Sequence, residues 1–393
     1  MPGWTTVAIV GGGPAGLMLG ALLARQGVNV TVLEKHADFL RDFRGDTVHP
    51  STIELMHELG WADEFLALPH RRMDRVTMGT PDGPVTVADF RHLPVRLPYV
   101  AFMPQWEFLN FLAQKASEYD AFRLLRRTTA TDLITAAGQV IGVRAETTTG
   151  PLELRAELVV SAEGRDSVLR EIAGLTSGAV APGVDVFWFR VSRRADESVP
   201  FFQSGRGGSL VAVDRGTYWQ LAYAFPKGRA DAIRADGIQP FRDRIAALLP
   251  LPADRVDEVR SFDDVHLLGV RMDRLTQWYR PGLLFIGDAA HAMSPAGGVG
   301  INLAIQDAVA SANLLAPALH RGRVTTHTLR RIERRRTFPT LVTQRFQAAA
   351  TKALYAASTS ADPKTPKFLR ALPPLTRLTG RFIGLGIRPE HLK

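Results

Sequence analysis

Two glycine-rich turns concentrate the chemically useful groups of this chain. The first, Gly11-Gly12-Gly13-Pro14-Ala15-Gly16, has no nucleophile, acid or base, so its chemistry is that of bare backbone. Glycines let N–H groups approach an anion closely, and a helix beginning just behind them adds unpaired donors and a positive dipole end. The second turn opens with Gly287-Asp288 and continues through Pro295, Gly297, Gly298 and Gly300. Its acid can accept from hydroxyls, and a helix starting after Gly300 suits a group that carries or develops negative charge.

The elements around each turn decide what it can hold. Val7-Ala8-Ile9-Val10 reads as a buried strand, Leu17–Gln26 as a helix, and Val28–Leu33 as a second strand ending at Glu34. Strand, glycine turn, helix, strand and terminal acid form the βαβ context of an adenine-dinucleotide site. In that context Gly11 permits the tight turn, Gly13 admits a pyrophosphate, Gly16 allows close helix–strand packing, and Glu34 accepts from ribose hydroxyls. A carboxylate there repels a ribose 2′-phosphate, which disfavours NADP at this position, but the motif does not separate FAD from NAD.

The second turn follows a short buried strand, Leu283–Ile286, set off by Arg280-Pro281-Gly282, and leads into a helix from about Ile301 to Leu315. No acid-terminated strand follows, so a second dinucleotide would lack its own βαβ unit. A flavin resolves the pairing. Its ADP half rests on the first turn, its ribityl chain reaches Asp288, and its ring meets the second helix start, where reduced flavin is anionic at N1–C2=O.

Composition sets the outer bounds. At 393 residues, with 46% hydrophobic and 22% charged residues, the chain reads as an ordinary globular protein of two to three domain-sized units. Cysteine is absent, which removes disulfides, thiolate metal sites and a cysteinyl cofactor link, and fits a cytoplasmic location. The net charge of +9 favours small anions and is too modest to imply nucleic acid. Arg330, Arg331, Arg334, Arg335 and Arg336 read as one solvated helix face. The apolar stretch from Val7 to Ala24 has no basic residues before it and contains the glycine turn, so no stable membrane insertion is expected.

Residues 71–97 and 178–270 lack glycine fingerprints and read as strands that build an antiparallel sheet from two separated segments. Around the Asp214-Arg215-Gly216 turn, alternation puts Tyr218, Gln220, Ala222 and Ala224 on one face. Trp219, Leu221, Tyr223 and Phe225 lie on the other, and which face meets a cavity stays open.

GGGPAG, Glu34, GDAAHAMSPAGGVGIN and the segment RDFRGD together resemble the single-component, class A FAD-dependent aromatic monooxygenases of the para-hydroxybenzoate hydroxylase group, from about residue 5 to 316. The resemblance implies an α/β fold. A Rossmann-like FAD-binding domain of the glutathione-reductase type (1–70, 98–177 and 271–316) would be interleaved with an antiparallel β-sheet substrate domain (71–97 and 178–270). A helical region (317–393) would follow, without an added thioredoxin-like domain.

The resemblance also implies roles. Pro14 and Ala15 complete the phosphate turn, Gly287 and Asp288 serve the ribityl chain, and Arg44 and Gln105 contact the pyrophosphate and adenosine sides. Pro295 places its carbonyl near flavin N5 and C4a, in a catalytic loop with Gly297 and Gly298. Gly300 and the backbone N–H groups of Ile301 and Asn302 face N1 and O2. FAD is non-covalent. NADPH or NADH reduces it, dioxygen adds at C4a, and the hydroperoxide hydroxylates a small aromatic or phenolic substrate. Lys35, His36, Arg41 and Arg44 could serve a 2′-phosphate, which puts NADPH ahead. A monomer or homodimer is expected, and His291 reads as structural.

One position departs from the group: in Leu158–Arg170, Glu163 stands where an Asp is expected, with Gly164, Arg165, Ser167 and Arg170 in place. Glu163 is taken as a cofactor contact displaced by one methylene. Two other readings remain. One is a flavin-dependent reductase of an isoprenoid double bond, suggested by Tyr218-Trp219 and Phe225-Pro226. The other is a non-catalytic FAD-binding protein. A flavin halogenase is disfavoured because no Trp-x-Trp-x-Ile-Pro segment is present.

Overall fold

The computed structural model describes residues 3–40, 47–79, 83–179, 183–205, 208–359 and 373–393. The chain opens with β1 (Trp4–Val10), α1 (Pro14–Arg25) and β2 (Val30–Leu33). After α2 (Pro50–Leu59) come β3 (Arg75–Gly79) and β4 (Val85–Asp89). The chain returns through α3 (Gln105–Ser117), β5 (Phe122–Leu125), an antiparallel excursion (Thr129–Ala136 and Gln139–Thr147), β6 (Gly150–Ser161) and the short α4 (Val168–Ile172). It leaves again through β7 (Val184–Ser192), β8 (Phe202–Gly205), β9 (Gly208–Asp214), β10 (Tyr218–Pro226) and α5 (Ile238–Ala246). It closes with β11 (Leu283–Phe285), α6 (Gly300–His320), α7 (Thr326–Thr359) and α8 (Pro373–Leu385).

Two sheets organise these elements. In the first, β11, β6, β1, β2 and β5 lie side by side in that order, all parallel. Their near-continuous apolar runs follow from burial on both faces, as parallel strands covered by helices require. α1 and α6 cover one face, and Ile9, Leu17, Val32, Leu158, Ile305 and Val309 share one core cluster. The carboxyl ends of β1, β6 and β11 therefore sit together. Ligands of open α/β sheets bind at such an edge.

The second sheet has seven strands among the described residues and draws on two separated segments, as the alternation predicts. It is antiparallel except where β8 pairs parallel with β3, Phe202 beside Met78. The Asp214–Gly216 turn is where expected, between β9 and β10. The structure assigns one of the two faces to a core. Trp219, Leu221, Tyr223 and Phe225 pack with Phe187, Phe189 and, from α5, Phe241 and Ile245. The aromatic ladder is thus core, not pocket lining. The opposite face presents Ala222 and Ala224 with Val186, Trp188 and Val211. Nearby Val213 joins Phe102 and Leu385, the last residue of α8.

Helix bounds shift slightly from the sequence expectation. α6 runs to His320 and contains Pro317, so the region after residue 317 begins inside a helix. One apolar helical stretch among the described residues, Ala296–His320, is long enough to cross a membrane, yet 83% of its apolar window is buried within the protein.

Candidate functional site

The first turn is packed as the fingerprint demands. Gly11 adopts φ +107°, and a Cβ there would lie 2.3 Å from the Ala162 carbonyl oxygen. A Cβ on Gly16 would lie 2.0 Å from the Gly11 carbonyl oxygen. Gly13, the N-cap of α1, has open space where its side chain would be, and no side chain caps the helix. With Pro14 at the first helical position, the donors of this end remain directed outward. Glu34 is buried, and its carboxylate accepts from the backbone N–H groups of Gly12 and His36, both at 2.9 Å. It thereby locks the end of β2 to the glycine turn, while Lys35 and His36 are exposed.

The second turn touches the first. A Cβ on Gly287 would be 3.1 Å from the Ala15 Cβ, so the Gly-Asp segment lies directly on the start of α1. Asp288 follows with a third of its side chain exposed, and the Arg165 guanidinium is 3.9 Å away. Beyond it, Pro295 and Gly297 are exposed, and Gly297 and Gly298 take the left-handed region, with φ +78° and +63°. Gly298 N–H donates to the Pro295 carbonyl at 3.0 Å. α6 then begins at Gly300 with no side-chain cap and no atom near the Gly300 Cα face, so the N–H groups of Ile301 and Asn302 belong to an open first turn.

Three elements hold this loop. From the N-terminal side of α2, Thr47 Oγ1 donates to the Gly298 carbonyl at 2.9 Å, and His49 Nε2 lies 3.0 Å from the same oxygen. His49 Nδ1 is 2.8 Å from the Ile383 carbonyl of α8. A neutral ring carries one N–H and satisfies one of these carbonyls at a time. Burial pushes the His49 pKa below the ordinary imidazole value, with the two carbonyl contacts opposing in part. Ser51 and Thr52 donate to Asn302 Oδ1 at 2.7 and 2.8 Å, so that side chain ties α2 to α6.

Inside the protein, Asp307 accepts from Gly287 N–H (3.0 Å), His291 Nε2 (2.6 Å) and Arg336 Nε (2.8 Å). Burial alone would raise its carboxyl, but His291 and Arg336 outweigh that and hold it below the usual carboxylate range. Arg336 also meets Glu390 at 3.5 Å, and Arg335 binds both Glu390 oxygens. The arginine run is therefore not one solvated face: Arg336 is 1% exposed and Arg330 donates to the Tyr279 hydroxyl. His291 is a buried strut, as its sequence position suggested.

Glu163, expected as a cofactor contact, also has a structural task. Its carboxylate accepts from Ser161 and Ser167 hydroxyls (2.8 and 2.6 Å) and from Val168 and Leu169 N–H. It caps α4, and the extra methylene serves that reach. Gln105 opens α3 half-buried, behind the N-cap Pro104. Arg41 and Arg44 lie outside the described residues. Sequence reasoning missed Thr47, His49, Asp307, Arg336 and Glu390. Asp307 left a signal, a lone acid in an otherwise apolar helix, which must be paired when buried.

Two outcomes are expected. Asp307→Asn takes the carboxylate from His291 and the nearer of its two anions from Arg336, and should cost about 3–5 kcal/mol in denaturant unfolding, as for a broken buried pair; a change within error of zero would show the network to be passive. Because the folded-state pKa of His49 is lowered, the unfolded chain binds more protons just below the ordinary imidazole value of about 6.5, so its stability contribution is complete above that pH and lost on acidification. Wild-type melting temperature should fall from about pH 7.5 to 5.5, and His49→Gln should flatten part of that slope.

The geometry has clear counterparts in known proteins. Residues 4–345 match the family model described as FAD binding domain. The chain is similar to 6-methylpretetramide 4-monooxygenase of Streptomyces rimosus, with 34% identity over 319 residues, covering 81% of this chain and 76% of that protein. It is similar to the S. rimosus 12-dehydrotetracycline 5-monooxygenase/anhydrotetracycline 6-monooxygenase, at 32% identity over 77% of this chain, but the match spans only 61% of that protein's length. Among solved structures, p-nitrophenol 4-monooxygenase from Pseudomonas putida superposes with a TM-score of 0.75 at 20% identity, covering 97% of this chain and 95% of that one, a likeness of fold. The chain belongs to the FAD binding domain family of flavin-dependent monooxygenases.

Proposed function

We propose that one FAD lies across both turns and that the chain hydroxylates an oxygen-rich aromatic substrate at the Pro295 loop. The observation that carries this reading is the contact between Ala15 and Gly287, which brings the phosphate turn and the Gly-Asp turn within the reach of a single flavin dinucleotide. Bound FAD supplies acceptance of hydride from NAD(P)H and activation of dioxygen. The chain supplies the setting. Gly13 and the start of α1 receive the pyrophosphate, Glu34 the ribose edge and Asp288 the ribityl hydroxyls. The uncapped start of α6 places positive dipole where the ring gains negative charge. No side-chain acid or base is assigned to oxygen transfer.

The same reading divides the chain into a FAD-binding body (1–70, 98–177 and 271–316), a substrate-binding sheet (71–97 and 178–270) and a helical remainder (317–393). Each of the two sheets draws its strands from one of the first two sets. The substrate faces the Ala222 and Ala224 side of the second sheet, whose small residues leave room. On that face the Trp188 Nε1 and Gln220 Nε2 donors are buried with no hydrogen-bond partner among the described residues. Buried donors without partners are costly, and carbonyl or phenolic oxygens of a substrate would satisfy them. This favours a phenolic aromatic compound in the class of 6-methylpretetramide or anhydrotetracycline, the compounds in the relatives' names. That those relatives are monooxygenases also sets aside the isoprenoid reductase reading. A cytoplasmic enzyme, monomeric or homodimeric, with NADPH ahead of NADH, completes the reading.

Phenolic polyketides of this class should accelerate NADPH-driven bleaching of the bound flavin, with hydroxylated product matching dioxygen consumed. Asp288→Ala should lower FAD occupancy, and a variant that purifies fully yellow would remove Asp288 from the ribityl assignment.

A further inference from the structure

The long helix α7 grips the Pro295 loop through the loop's main chain. α7 carries Gln344 and Gln347 one turn apart, both about 1% exposed, and their amides meet backbone groups at the Asp273 and 292–296 segments. Gln347 Nε2 donates to the Ser294 carbonyl at 2.8 Å and to the Ala296 carbonyl at 2.7 Å, while its Oε1 accepts from Ser294 N–H at 3.2 Å. Gln344 Nε2 donates to the carbonyls of Asp273 and Ala292 at 2.8 and 3.2 Å, its oxygen accepting from Arg274. The Gln347 amide has one orientation only. Exchanging its O and N would point an oxygen at two carbonyls, and both its N–H groups are already used.

These bonds bracket Pro295 on both sides. Pro295 lacks an N–H, and within the loop only the Gly298 N–H to Pro295 carbonyl bond and the Ala296 N–H to Ser294 Oγ bond are formed among the described residues, so the Gln347 bonds add to the fixing of the segment on either side of Pro295. A carbonyl that must face the reactive edge of a ring has to be placed to within a fraction of an ångström. We infer that Gln347 is a positioning residue for the flavin-facing Pro295 loop, setting the environment of flavin N5 through the Ser294 and Ala296 carbonyls. This rests on the flavin reading above and assigns a task in that site to the helical region after residue 317.

The test uses two variants of the FAD-saturated protein. Gln347→Met keeps length and removes all three bonds; Gln347→Glu keeps the acceptor and turns an anion toward both carbonyls. Sulfite, which adds at flavin N5, is titrated by loss of flavin absorbance, and peroxide release is timed after oxygen is admitted to the dithionite-reduced protein. Both variants should change the sulfite dissociation constant and speed peroxide release by about tenfold, the scale of a small misplacement, while FAD affinity changes far less. Sulfite and peroxide behaviour identical to wild type would overturn the inference. So would loss of FAD from both variants in step with loss of thermal stability, which would assign Gln347 to the fold alone. Wild-type protein that binds no FAD would instead contradict the flavin reading itself.

Discussion

The carboxylate of Asp307, fully withdrawn from water, joins three elements: the Gly287 N–H at the end of β11, the His291 ring in the loop, and the Arg336 guanidinium of α7. A buried charge is tolerated only when paired and hydrogen-bonded, so the geometry of those partners is not negotiable. Through Arg336 the constraint extends to Glu390, whose N–H in turn meets the Gln306 side chain on α6. The Gly-Asp turn is thus anchored from behind, leaving its front open. α6 can then present an uncapped start because its stability comes from this interior network and from apolar packing.

Glycine packing supplies the complementary constraint at the front. Gly16 brings α1 against the end of β1 and Gly11 brings the turn against Ala162 beyond β6, each so closely that no side chain fits, and Gly287 sets the second turn on top of Ala15. The result is a row of backbone donors at the carboxyl edge of a parallel sheet, with Asp288 beside it. Such a row favours a long, anionic, polyhydroxylated ligand over a compact one. The second sheet turns its aromatic side into its own core and leaves the Ala222 and Ala224 side for other contacts.

What the sequence made legible follows from what is local. The βαβ unit, the Gly-Asp turn and the hairpin at Asp214–Gly216 are set by residues adjacent in the chain, and each is found where expected. Contacts between elements far apart in the chain were not legible. His49 touches both Gly298 and Ile383, and Gln347 reaches Ser294, with no periodicity to announce either. The sheet face was ambiguous because alternation gives two faces without saying which one a later helix, α5, will cover. The capping bonds of Glu163 were not legible because nothing in its residue type announces that it accepts from Ser161 and Ser167.

Occupation of both turns by a single flavin is tested most directly by a crystal structure of the FAD-bound protein. The expected result is one continuous ligand, with the pyrophosphate at the Gly13 end of α1, the ribityl chain at Asp288 and the ring edge between Pro295 and the start of α6. A ring placed away from the Pro295 loop, or separate nucleotides in the two turns, would contradict it.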